Sequence, residues 1–127
     1  MPTLVDTDVL IWHLRGYAQA TRRLDALDGL HLSAVSYFEL MQGLRDKNEL
    51  AALKAMLARR SATLWPLTAA ITQRATDLME SLVLSHGLQM GDALIAATAL
   101  EHGLVVLTGN VKHFGAVQGL QLEPFVI

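Results

Sequence analysis

The sequence predicts an α/β fold, a mainly parallel sheet of four to five strands flanked by helices. Short apolar runs of strand length recur along the 127 residues, and helical patterns fill the intervals between them. The resulting order, β-α-α-β-α-α-β-α-α-β-α-β, implies parallel strands with helices on both faces. No internal repeat, low-complexity segment or linker divides the chain, so a single domain over 1–127 is expected.

The first strand is expected at Thr3–Val5, running straight into Asp6 and Asp8. A helix over Thr7–Arg15 then stops at Gly16, a suitable C′ residue. Ala18–Leu27 sets Leu24 and Leu27 on one helical face before an Asp28-Gly29 turn. Leu30–Ser33 reads as the second strand and Ser36–Leu44 as the helix after it. Glu49–Arg60 carries Leu50, Leu53, Met56 and Leu57 at helical spacing, with charges opposite. A third strand at Ala62–Pro66 leads to a long helix, capped by Thr68 and closed after His86 by Gly87. Asp92–His102 is apolar almost all round, as in a helix buried on several sides, and Gly103 stops it. Leu104–Leu107 is the fourth strand and Leu120–Leu122 a weaker fifth. The closing Pro124-Phe125-Val126-Ile127 is apolar and suits packing on the body or on a neighbour.

Composition narrows the function classes. Ten Lys+Arg against twelve Asp+Glu give a net charge of −2, so no global basic field announces nucleic acid, and any steering falls to a local patch. The absence of cysteine excludes disulfides and thiolate metal sites. Met-Pro-Thr-Leu-Val-Asp has neither the basic nor the apolar region of a signal peptide. No run of about 18 apolar residues is present, so a cytoplasmic protein without a membrane span is expected. An apolar content of 52% against 17% charged predicts an exposed apolar patch and a partner surface.

The acids carry the chemistry. In a parallel α/β sheet, ligands bind beyond the carboxyl ends of strands, where strand order reverses. Asp6 and Asp8 stand at such an end. Asp is a favoured N-cap, a duty that falls to Asp8, but two acids exceed what one cap requires. Ser36 and Glu39 match the S-x-x-E capping box, which also brings Glu39 to the strand-end rim. Asp92 opens the most apolar helix, where an acid either complements the helix dipole or marks a site. Asn110, in Thr108-Gly109-Asn110 after the fourth strand, suits a turn or a neutral oxygen ligand. Oxygen-only donors of this kind suit Mg²⁺ or Mn²⁺, and such a cation activates water for attack on a phosphodiester. His13, His31, His86, His102 and His113 show no ligand spacing and read as structural. Arg22-Arg23 and Arg59-Arg60 read as solvated helix faces, with Arg45 and Lys112 as candidate phosphate-backbone contacts near the rim.

Together these segments resemble the PIN-domain ribonucleases, and specifically the VapC-type toxins of bacterial toxin–antitoxin pairs. The resemblance spans nearly the whole chain through Leu4-Val5-Asp6-Thr7-Asp8-Val9-Leu10-Ile11, Ser33-Ala-Val-Ser36-Tyr-Phe-Glu39-Leu with Gly43, Asp92-Ala-Leu-Ile-Ala-Ala-Thr98-Ala-Leu, and Leu107-Thr108-Gly109-Asn110-Val-Lys-His113-Phe114. It implies a PIN-like, Rossmann-like sheet. Asp6, Glu39 and Asp92 are implied as catalytic metal-holding acids, with Asn110, Asp8 and Thr108 secondary. It further implies cleavage of single-stranded or loop RNA, a homodimer or higher oligomer, and a VapB-type antitoxin that covers the groove. Three departures stand out. The family's fourth acid is Asn110 here, Gly109 stands where many relatives carry Arg, and Asp8 stands where Asn is common.

Two rival readings remain at this level. Asp6-Thr7-Asp8 matches the D-x-D of haloacid-dehalogenase-like phosphatases, in which the first Asp is the nucleophile. That motif continues with Gly-Thr or Gly-Ser, whereas Val9-Leu10 follows here. The other rival is a catalytically weak PIN module that only binds RNA or protein, against which stand three retained acids that are costly to bury without purpose.

Overall fold

The computed structural model describes residues 1–127 and contains five strands and seven helices. In order these are β1 (Thr3–Val5), α1 (Thr7–Leu14), α2 (Ala18–Asp25), β2 (His31–Ser33), α3 (Ala34–Gln42), α4 (Lys47–Arg59), β3 (Thr63–Trp65), α5 (Ala69–His86), α6 (Met90–His102), β4 (Val105–Thr108), α7 (Val111–Phe114) and β5 (Leu122–Pro124). The α/β order is the one the sequence predicts.

All strand pairs are parallel, and the sheet runs β3-β2-β1-β4-β5. Leu4 lies opposite His31 of β2 on one side and Val106 of β4 on the other, so β1 is the central strand. The chain moves outward through β2 and β3, then crosses back to lay β4 against the free edge of β1. Strand order therefore reverses between β1 and β4, where the carboxyl ends open a crevice.

Alternation along the strands divides the core between two faces. Val5 and Leu107 join Leu10, Leu24, Leu53 and Met56 beneath α1, α2 and α4. Leu4 and Val106 join Ile95, Ala96 and Phe114 on the other face, with α5 packed outside α6. The all-round apolar character of α6 follows from this position: residues 95–99 are buried without interruption between the sheet and α5.

Local chemistry moved several boundaries. Ser33 caps α3, its Oγ accepting from Val35 N at 3.1 Å, and the helix begins at Ala34. Ser36 consequently lies inside the helix, the expected capping box does not form, and the Glu39 carboxylate is left for other partners. Asp6, not Asp8, caps α1 by accepting from Thr7 N at 2.8 Å. The last strand sits two residues later than expected because β4 pairs with it in the register Val106↔Leu122 and Thr108↔Pro124, and Pro is tolerated on this edge. Gly87 and Gly103 take left-handed conformations, φ 63° and 64°, at the ends of α5 and α6. Phe125 packs onto the body, whereas Val126 and Ile127 stay exposed. Leu84, Met90 and Phe38 also face solvent.

Candidate metal centre

Asp6 is the innermost acid of the crevice, only 4% exposed at the end of the central strand. Its Oδ1 accepts from Thr7 N, and its Oδ2 accepts from the hydroxyl of the buried Thr108 at 2.7 Å. Thr108 Oγ1 in turn accepts from Asn110 N at 2.9 Å. The end of β4 thus grips the carboxylate at the end of β1.

Glu39 arrives from α3 and is held by a residue outside the expected set. Thr7 Oγ1 lies 2.7 Å from Glu39 Oε1 and 2.8 Å from Ser36 Oγ. A hydroxyl has one proton and two lone pairs, so both contacts are met when Thr7 donates to the carboxylate and accepts from Ser36. Across the crevice, Gly91 approaches so closely that a Cβ there would lie 3.1 Å from Glu39 Oε2.

Asp92, in the first turn of α6, pairs with His113 of α7, Nδ1 to Oδ2 at 3.2 Å. His113 is therefore a site residue, not the structural one expected. Its signal is faint but physical: Phe114 is fully buried, and its anchoring of the one-turn α7 leaves the preceding side chain on the rim. Asn110 and Asp8 meet directly. Asp8 Oδ2 accepts from Asn110 Nδ2 and from Gly109 N, both at 3.0 Å. Asp8 is thus no helix cap but a tie between α1 and the loop after β4.

Asp6, Thr7, Asp8, Glu39, Asp92, Asn110 and His113 line one open cleft of about 430 Å³. No Lys or Arg lines it. Arg45 pairs with Glu49 instead, and Arg23 and Arg60 form ion pairs with Glu123 and Asp25 rather than standing as bare solvated faces. Burial first, then the neighbouring Asp8, pushes the Asp6 carboxyl up to about 7. Burial likewise raises Asp92, helped by Glu39 and Asp8 and opposed by His113. Acids crowded in a cleft that no Lys or Arg lines favour the approach of a cation.

The donor set fits a hard one. No group of three acidic or imidazole side chains is gathered closely enough to hold a metal ion by itself, so the carboxylates fit only an ion that keeps several waters and takes one or two of them directly. Asp8 Oδ1 is sealed from solvent without a hydrogen-bond partner, an anionic oxygen that a nearby cation would satisfy.

Comparison with known proteins agrees with this geometry. Residues 3–119 match the family model described as PIN domain. The chain is 39% identical over 128 residues to Ribonuclease VapC10 of Mycobacterium tuberculosis, covering 98% of this chain and 93% of that protein. It is 38% identical to Ribonuclease VapC19 of the same species, covering 93% and 96%. Among solved structures, a toxin–antitoxin complex from Klebsiella pneumoniae contains a chain that superposes with a TM-score of 0.82 at 26% identity, covering 98% and 99%. The chain belongs to the PIN domain family and, within it, to the VapC-type proteins.

Proposed function

We propose that the protein is a divalent-metal-dependent endoribonuclease that hydrolyses RNA phosphodiester bonds and acts as the toxin of a toxin–antitoxin pair. Asp6, Glu39 and Asp92 hold the cation, Mg²⁺ or Mn²⁺, with Asp8, Thr108 and Asn110 in support. One observation carries the reading: three acids from three separate elements converge on a strand-reversal crevice that no Lys or Arg lines. Relatives named ribonucleases, and a structural neighbour solved as a toxin–antitoxin complex, support the substrate and the partner.

Hydrolysis adds hydroxide to phosphorus and a proton to the leaving oxygen, and two negative partners must approach. When bound, the cation polarises the phosphodiester and makes a neighbouring water more acidic. The chain's own residues fix the geometry around it. Thr108 and the Thr7 amide orient Asp6, the Thr7 hydroxyl orients Glu39, and His113 orients Asp92. Each carboxylate is thereby held before substrate arrives, the preorganisation on which electrostatic catalysis depends. The openness of the cleft suits a single strand or a loop, whose backbone can bend into it. Exposed Leu84, Met90 and Phe38 support self-association as a homodimer or larger oligomer, which light scattering tests directly.

The test is RNA cleavage with Mg²⁺, Mn²⁺ or EDTA, with Asp6→Asn and Asp92→Asn in parallel. Cleavage is expected only with a divalent ion and the wild-type acids. Activity that survives EDTA or both substitutions overturns the metal role. Binding of RNA without cleavage in either metal overturns the nuclease.

A further inference from the structure

Gly109 and Asn110 both donate to a single oxygen of Asp8. A carboxylate only accepts, so Asn110 must turn its NH₂ end toward Asp8, and its carbonyl oxygen Oδ1 becomes the only end of the amide free to serve the cleft. An amide without such a partner presents either end with similar ease, and its donor end repels a cation. The same clasp explains the glycine. A Cβ at residue 109 would lie 2.8 Å from Asp8 Oδ2 and 3.5 Å from the Phe125 carbonyl oxygen, so no side chain fits while Asp8 holds the loop.

We propose that Asp8 is a positioning residue that clasps the Gly109–Asn110 loop onto α1 and fixes the orientation of the Asn110 amide, so that a neutral oxygen is offered to the cleft. Residue 110 thereby contributes an acceptor without charge. The proposal rests on the metal-site reading above for its consequence, but not for its geometry.

Removing the acceptor tests both parts. Asp8→Ala leaves Gly109 N and the Asn110 NH₂ without their shared oxygen, so the Asn110 amide is free to turn. Asp8→Asn loses the charge but keeps, in the same place, a carbonyl oxygen whose two lone pairs serve both donors. The first readout is ¹⁵N NMR of the metal-free protein. The Asn110 side-chain NH₂ and the Gly109 amide are expected to exchange slowly in wild type and in Asp8→Asn, and in Asp8→Ala the Asn110 NH₂ is expected to exchange as in solvent. The second is calorimetric titration with Mg²⁺ alone. Asp8→Ala is expected to weaken binding about 10-fold or more, as loss of a supporting hydrogen bond does at metal sites, and Asp8→Asn to bind more tightly than Asp8→Ala. Unchanged Asn110 NH₂ exchange in Asp8→Ala overturns the clasp, whether or not the protein binds Mg²⁺. Changed exchange with undiminished Mg²⁺ affinity, or Asp8→Asn binding no better than Asp8→Ala, overturns its role in the site. If wild type binds neither Mg²⁺ nor Mn²⁺, the metal-site reading fails, and the NMR result still decides the clasp.

Discussion

Thr108 Oγ1 donates to Asp6 Oδ2 over 2.7 Å, joining two strand ends that lie 102 residues apart in the chain. Both residues are buried, and the bond is one of the influences that hold the Asp6 carboxyl down against burial. Thr108→Val keeps the shape and removes the donor. An unfolding free energy lower by about 1–3 kcal/mol is expected, along with a further rise in the Asp6 pKa. Denaturant melts and an NMR titration of the Asp6 carboxyl check the two effects separately.

The raised pKa of Asp6 gives the metal-free protein a defined pH dependence. Folding lifts this group from 3.8 to about 7, so in that window the folded chain retains a proton that the unfolded chain has released. The stabilisation is complete below 3.8 and is lost as pH rises toward 7, with a limiting slope of about 1.4 kcal/mol per pH unit. Thermal melts in EDTA should therefore show Tm falling across this range, less steeply in Asp6→Asn. Excess Mg²⁺ should raise Tm at neutral pH in wild type, because the cation favours the ionised acid.

Thr7 is expected to matter more for cleavage than for folding. Thr7→Val removes the hydroxyl that holds Glu39 while retaining the backbone cap on Asp6. A fall in RNA cleavage of about 10- to 100-fold, with Mg²⁺ affinity weakened in step, is the outcome to look for. Thr7→Ser, which keeps the hydroxyl, should restore most of the activity.

Gly109→Ala forces a methyl group against Asp8 Oδ2 and is expected to destabilise the fold by about 1–3 kcal/mol. The clash disappears if the carboxylate is absent. In an Asp8→Ala background the same substitution should therefore cost much less, and a double-mutant cycle on unfolding free energies measures the difference.

Phe114 anchors α7, and with it the loop that carries Asn110 and His113. It is fully buried among Leu4, Ile95 and Val106. Phe114→Ala should cost about 3–5 kcal/mol and accelerate backbone hydrogen exchange from Asn110 to Val117 before other regions respond.

Much of this architecture is legible in the sequence because strands and helices carry different apolar periods, and the stops at Gly87 and Gly103 are local. The acids at the ends of β1 and at the start of α6 are legible for the same reason: they interrupt apolar segments where solvent alone would not require it. What escapes a linear reading is competition between neighbours. Ser33 and Ser36 are both able to cap α3, and the sheet decides for Ser33 by ending β2 there. Asp6 and Asp8 are both able to cap α1, and the loop after β4 claims Asp8. His113 and Thr7 escape for a different reason. Each acts through a partner far away in sequence, Asp92 for one and Glu39 for the other, so no local pattern marks them.

The central place of β1 also bears on how the protein is made. The ribosome releases the chain from its amino end, so β1 and Asp6 emerge early and the strand that completes their surroundings emerges late. Until β4 is available, β1 is an edge strand, and Asp6 lacks the Thr108 hydroxyl that orients it. A growing chain therefore carries Asp6 without its assembled surroundings until β4 has followed, so the order of synthesis also sets the order in which the acidic centre can be completed.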